Sequence, residues 1–129
     1  MKKGLTLPEL LLATAILAVT LSLILLSYIS CVFLNQTNRE RTKAISHAQF
    51  VMEEIKTTTF DDISSYINNG DFDWNTATIE TRGLDALNNE TIDTSVNGAG
   101  LLDINIIISW TGSRQIDRQV SLQTLIARP

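Results

Sequence analysis

Glu9 is the residue whose placement most needs a chemical explanation, because this acidic side chain lies between Leu7-Pro8 and Leu10-Leu11-Leu12. At the centre of a membrane helix a carboxylate costs roughly 3 kcal/mol even on lenient insertion scales, and less near the interface. A group retained at that cost needs a partner, and a close opposite charge offsets its desolvation. A carboxylate embedded at such a place is a functional candidate by default. Other reactive residue types are sparse: the chain has one histidine, His47, and one cysteine, Cys31. A Ser–His–Asp triad or a zinc site lacks the residues it requires. No catalytic residue, no enzyme and no cofactor are expected. His47 is expected on a helix flank as an ordinary polar residue, and Cys31 as a small apolar filler.

The segment Asp71-Phe72-Asp73-Trp74-Asn75 has the alternating oxygen ligands that begin a calcium loop. An EF-hand also needs Gly in the sixth position and Glu in the twelfth. Thr76 and Arg82 stand there instead, so an EF-hand is rejected. Asp71, Asp73 and Asn75 are left as a weak calcium candidate, with a solvated turn as the favoured reading. Asn35-Gln36-Thr37 and Asn89-Glu90-Thr91 fit the glycosylation tripeptide, a pattern frequent by chance.

Several elements must position these residues. From Leu10 to Leu34 no charged residue occurs, and Thr14, Thr20, Ser22, Ser27 and Ser30 are the polar interruptions. A helix rising about 1.5 Å per residue crosses a bilayer core of about 30 Å within that run. Lys2 and Lys3 precede it and favour a cytoplasmic N-terminus, although Arg39, Arg41 and Lys43 beyond its other end weaken the bias. The run is too long for a secretory signal peptide, and no Ala-x-Ala-like site follows it. Tyr28-Ile29-Ser30-Cys31 is faintly similar to a lipoprotein cleavage box, but Tyr28 stands where such boxes carry an aliphatic residue. The net charge of −4, with no basic cluster interleaved with aromatics, argues against a nucleic-acid partner.

Beyond Leu34 the pattern becomes amphipathic: Ile45, Ala48, Met52 and Ile55 recur at helical spacing, with Ala44 and Val51 beside them. Thr57-Thr58-Thr59 is expected to end this helix. Residues 60–100 are polar; Thr76 to Thr81 reads as a short strand and Leu84 to Gly100 as a long connection. Leu102, Ile104, Ile106, Ile108 and Trp110 alternate with other residues, and Val120, Leu122, Thr124 and Ile126 restore the alternation after a turn begun by Thr111-Gly112-Ser113. This predicts an antiparallel hairpin with one apolar face.

The run Lys2-Lys3-Gly4-Leu5-Thr6-Leu7-Pro8-Glu9-Leu10 resembles the N-terminus of type IV prepilins and type II secretion pseudopilins. The resemblance implies a leader of residues 1–4, cleavage by a prepilin peptidase between Gly4 and Leu5, and N-methylation of the new terminus at Leu5. It assigns to Glu9 the docking of a neighbouring subunit's terminal amine. It also implies an α+β, pilin-like fold: a membrane-spanning, filament-core helix over 5–34, an amphipathic continuation over 35–59, and a small exported β domain over 60–129. The antiparallel sheet of that domain packs on the C-terminal half of the helix. Implied partners are the prepilin peptidase, other pilin or pseudopilin subunits and an assembly platform in the bacterial inner membrane. The implied location is single-pass in that membrane, then in a periplasmic or cell-surface filament. Two departures are that Leu5 stands where Phe is commonest and that no Pro or Gly interrupts the apolar helix beyond Pro8. Cys31 alone cannot close the disulfide loop usual in major pilins, and no Gly/Asp/Pro-rich calcium loop is found near the C-terminus. These favour a minor subunit acting in filament initiation or modulation. The alternative is a single-pass envelope protein with an exported binding domain unrelated to filaments.

Overall fold

The computed structural model describes residues 6–98 and 100–128. The chain divides into two compact units, residues 1–36 and 37–129. A single helix, α1 (Leu7–Thr57), supplies the described structure of the first unit and opens the second.

In the first unit the helix is apolar on all sides, with its large side chains from Leu7 to Leu34 exposed except near Phe33. Four of its hydroxyls are satisfied by the helix itself. Thr14 and Thr20 donate to the carbonyls of Leu11 and Leu17 at 2.9 Å, and Ser22 and Ser30 to those of Ala18 and Leu26 at 2.8 and 2.9 Å. Such back-bonding removes the free donor that would oppose burial in hydrocarbon. The helix is long and apolar enough to cross a membrane.

In the second unit α1 is followed by α2 (Phe60–Asn68), β1 (Trp74–Asn75), α3 (Thr76–Thr81), β2 (Thr91–Asn97), β3 (Leu101–Gly112) and β4 (Ile116–Ala127). The strands form one antiparallel sheet in the order β1-β2-β3-β4, with Ile92 opposite Ile108 and Ile106 opposite Leu122. The alternation read over β3 holds throughout: Leu102, Ile104, Ile106, Ile108 and Trp110 are buried. They meet Ala44, Ala48, Val51, Met52 and Ile55 of α1, together with Ile63, Ile67 and Ile79. Each such Ile, Leu, Val or Met side chain contributes about 1.5–3 kcal/mol by leaving water. The C-terminal half of α1 therefore carries the sheet, as the resemblance implies.

Four local expectations are corrected. Thr76–Thr81 is a helix and not a strand: the Asn75 side chain accepts from the Thr78 N–H at 2.9 Å and starts a helical turn that overrides the β-branched composition. The stretch 84–100 is not all connection, because β2 pairs along most of β3 and buries Ile92. The expected β domain also contains α2, signalled in the sequence by Ile63 and Ile67 four residues apart and by Asp61 and Asp62 in the first turn. The fourth concerns one member of the stripe of α1, whose other expected positions, Ala44, Ala48, Val51, Met52 and Ile55, are buried. Ile45 is 37% exposed whereas His47 is buried, since the sheet covers the Ala44–Ala48–Val51–Ile55 side.

The expected end of α1 at the threonines is observed. Thr57 and Thr58 turn their hydroxyls onto the Glu54 carbonyl, and Thr59 adopts an extended conformation as the cap of α2. The β3–β4 turn spans Ser113 to Gln115, with Arg114 and Gln115 in the left-handed region at φ 71° and 55°.

Candidate assembly surface and a buried histidine–glutamate pair

The N-terminus of α1 has the sequence Thr6-Leu7-Pro8-Glu9, and the structure gives it a local use. Thr6 precedes the first helical residue, its carbonyl accepts from the Leu10 N–H at 3.1 Å, and its own N–H and hydroxyl both point to Glu9 Oε2 at 3.4 Å. This is half of a capping box, with the third helical residue reaching back to the cap backbone. The T-x-x-E signature was legible in the sequence beside the docking reading. Both contacts are long for hydrogen bonds, so they hold the carboxylate lightly, and Glu9 is solvent-exposed at the head of the uncharged run from Leu10 to Leu34. Gly4 and Leu5, the expected cleavage and methylation positions, lie outside the described residues. Cys31 is a free, exposed thiol on the apolar segment.

The second unit holds a polar cluster that the sequence did not announce. His47, expected on the helix flank as an ordinary polar residue, is buried on the sheet-facing side of α1, where Glu90 meets it. Glu90 is fully buried; its Oε1 lies 2.7 Å from His47 Nδ1, and its Oε2 accepts the Leu87 N–H at 2.7 Å. With Glu90 ionised its oxygens can only accept, and the proton of this contact sits on Nδ1. The Glu90 backbone is held as well: its carbonyl accepts from Thr76 Oγ1 at 3.1 Å, and its N–H donates to Leu87 at 3.2 Å. One helical turn earlier, Lys43 reaches Asp85 at 2.5 Å, and this ammonium holds the Asp85 carboxyl below the usual carboxylate range. Two residues of α1, four apart, thus grip the loop leading into β2.

A third contact lies further along α1. Arg82 Nη1 donates to both oxygens of Glu54 at 2.7 and 2.6 Å, and its guanidinium stacks 4.0 Å from the Trp74 ring, which Phe50 meets edge-on. At the far end of the unit Arg128 pairs with Asp61.

Two of the three weak calcium candidates, Asp73 and Asn75, are occupied by structural tasks. Asp73 Oδ1 accepts the N–H and hydroxyl of Thr94 at 2.7 and 2.9 Å, tying the β1 approach to β2. Asn75 Oδ1 caps α3, and Asp71 stands apart on an exposed groove with Asp62 and Tyr66. Among the described residues no group of three or more His, Cys, Asp or Glu side chains could hold a metal ion. Comparison of the chain with protein-family models, with curated proteins and with solved structures finds no match.

Proposed function

We propose that this chain is a structural subunit of a type IV pilus or type II secretion pseudopilus, processed after Gly4, N-methylated at Leu5, and serving as a minor subunit in filament initiation or modulation. The observation that carries the reading is the Glu9 carboxylate, the one acid at the head of the uncharged run from Leu10 to Leu34, held among the described residues by contacts of 3.4 Å. A neighbouring subunit's terminal ammonium is a stronger partner than the Thr6 N–H, because opposite charges attract more strongly as water is excluded. The apolar surface from Leu10 to Leu34 would pack against other subunits after serving as an inner-membrane span. The sheet on the second half of α1 supports the reading, as does Cys31 being the only thiol, with no disulfide loop possible. The partners on this reading are the prepilin peptidase, other filament subunits and the assembly platform.

The test is terminal sequencing by mass spectrometry from cells that carry the peptidase. N-methyl-Leu5 is the expected terminus, and an intact Met1 would refute the proposal. With Glu9→Val, processing should persist while incorporation into filaments falls; normal incorporation would remove the docking role. The capping geometry favours one second reading. Thr6 and Glu9 can serve a plain membrane anchor by starting its helix, with the exported unit binding something other than a filament. That reading requires Glu9→Gln to behave as wild type in every assay except helix-start stability.

A further inference from the structure

We propose that Asn97-Gly98, at the tip between β2 and β3, is a site of spontaneous deamidation, and that the fold protects the other Asn-Gly pair, Asn69-Gly70. Both dipeptides are present in the sequence. The reaction needs the backbone nitrogen of the glycine to reach the side-chain carbonyl carbon of the asparagine. Without a Cβ, glycine presents that nitrogen with least hindrance and leaves the local backbone freest to turn.

The structure separates the two sites. Asn69 is the C-cap of α2, with ψ −9°, and the Gly70 N–H is held by the Ile67 carbonyl at 3.0 Å. Its nucleophile is occupied as a hydrogen-bond donor and fixed in a helical turn. Asn97 is the last residue of β2, exposed, and neither its side chain nor the Gly98 N–H has a hydrogen bond among the described residues. Gly98 has φ +102°, and a Cβ there would lie 2.1 Å from the Leu101 carbonyl oxygen, so the turn requires glycine at this place.

The Gly98 nitrogen adds to Asn97 Cγ. The Cγ–Nδ2 bond breaks, and the proton lost by the Gly98 nitrogen leaves with the amine as ammonia, closing a succinimide. Water then opens either ring carbonyl, giving aspartate or the β-linked isoaspartate, with no change of oxidation state. Either product adds a negative charge. In the sheet Asn97 stands opposite Asp103, whose carboxylate accepts from Gln123 at 2.8 and 2.9 Å. Like charges directly opposite on neighbouring strands repel, and an isoaspartate lengthens the backbone at the last register pair. The tip of the exported unit thus carries a slow chemical change that loosens the β2–β3 end.

The full chain in detergent is incubated in mildly alkaline buffer and mapped by peptide mass spectrometry over time. The Asn97 peptide is expected to gain the amide-to-acid mass difference, with an isoaspartate isomer, roughly tenfold faster than the Asn69 peptide, a factor set by a hydrogen bond of ordinary strength at Gly70. In denaturant the two sites should convert at similar rates, and Asn97→Gln should abolish the faster conversion. Equal rates in the folded chain, or a faster Asn69, would overturn the proposal.

Discussion

Replacing Glu90 by alanine removes a side chain that is fully buried and touched by two donors at 2.7 Å. The substitution leaves the His47 Nδ1–H and the Leu87 N–H facing each other across an apolar space. Each orphaned donor forfeits its share of solvation, about 1–3 kcal/mol, and breaking a buried ionic or hydrogen-bonded pair by removing one member costs about 3–5 kcal/mol. The expected loss is therefore about 3–5 kcal/mol. A domain of this kind has about 5–15 kcal/mol in total, so the substitution consumes a large share of it. Glu90→Gln separates charge from shape. Its carbonyl can still accept from one donor, while its amide must face the other, so His47 has to change tautomer. The expected loss is smaller, about 1.5–3 kcal/mol, the value of one net hydrogen bond to a charged group. Both variants keep the backbone contact from Thr76 to the Glu90 carbonyl, which confines the difference to the side chain.

The assay is urea unfolding of the full chain in detergent, followed by the fluorescence of Trp74 and Trp110, which are both buried in the same unit. A double-mutant cycle with His47→Ala isolates the pair and should give a coupling of at least ~1.5 kcal/mol, in the range for contacting residues. If Glu90→Ala lowers stability by less than about 0.5 kcal/mol, the scale of a neutral surface change, then the pair does not hold α1 to the β2 loop and the reasoning fails.

Asn75→Ala should lower the stability of the same unit by about 1 kcal/mol through loss of the α3 cap, with the same loss in the presence and absence of calcium; a loss seen only with calcium would make Asn75 a ligand. Asp85 should titrate below the ordinary carboxylate range because Lys43 stabilises its charged form. A depressed folded value means that the stabilisation is present above the unfolded-state value and lost as pH falls through the folded one, so the effect is confined to the acid limb. NMR titration should show this, with Lys43→Met returning Asp85 towards the usual range.

The apolar helix and the β3–β4 hairpin were legible because each is governed by one strong pattern. An uncharged run and a strict alternation leave little for tertiary context to decide. The Thr76–Thr81 helix was read as a strand because its threonines and isoleucine favour extended backbone, whereas one Asn75 side chain decided the outcome. His47 was misplaced for a different reason. Periodicity assigns a histidine to the polar side, and only a partner distant in sequence can reverse that. Glu90 is forty-three positions away, and nothing in its neighbourhood marks an acid for burial. Ile45 is the converse case: its helical spacing placed it in the core, but the sheet lies to one side of the stripe and leaves it partly in water. Local order is written in nearest neighbours, and the rotation of a helix under a sheet is not.

On the filament reading the two uses of Glu9 need not compete, because they would belong to different states of the chain. In the isolated chain the carboxylate satisfies a cap donor that would otherwise lack a partner at the helix start. Contacts of 3.4 Å stabilise that state weakly, and weak holding is what a docking residue needs. A carboxylate locked by short bonds would have to break them before meeting another charge. One left bare would destabilise the helix start in hydrocarbon. If a neighbour's ammonium replaces Thr6 as the partner, the helix loses at most a marginal cap while gaining a charged pair in a water-poor surrounding. Thr6→Val separates the states, since it removes the hydroxyl contact but leaves the docking charge. On the filament reading this variant should enter filaments at least as well as wild type, with circular dichroism reporting a slightly frayed helix start. A fall in incorporation as large as that of Glu9→Val would mean that the cap itself, not the free carboxylate, is what assembly requires.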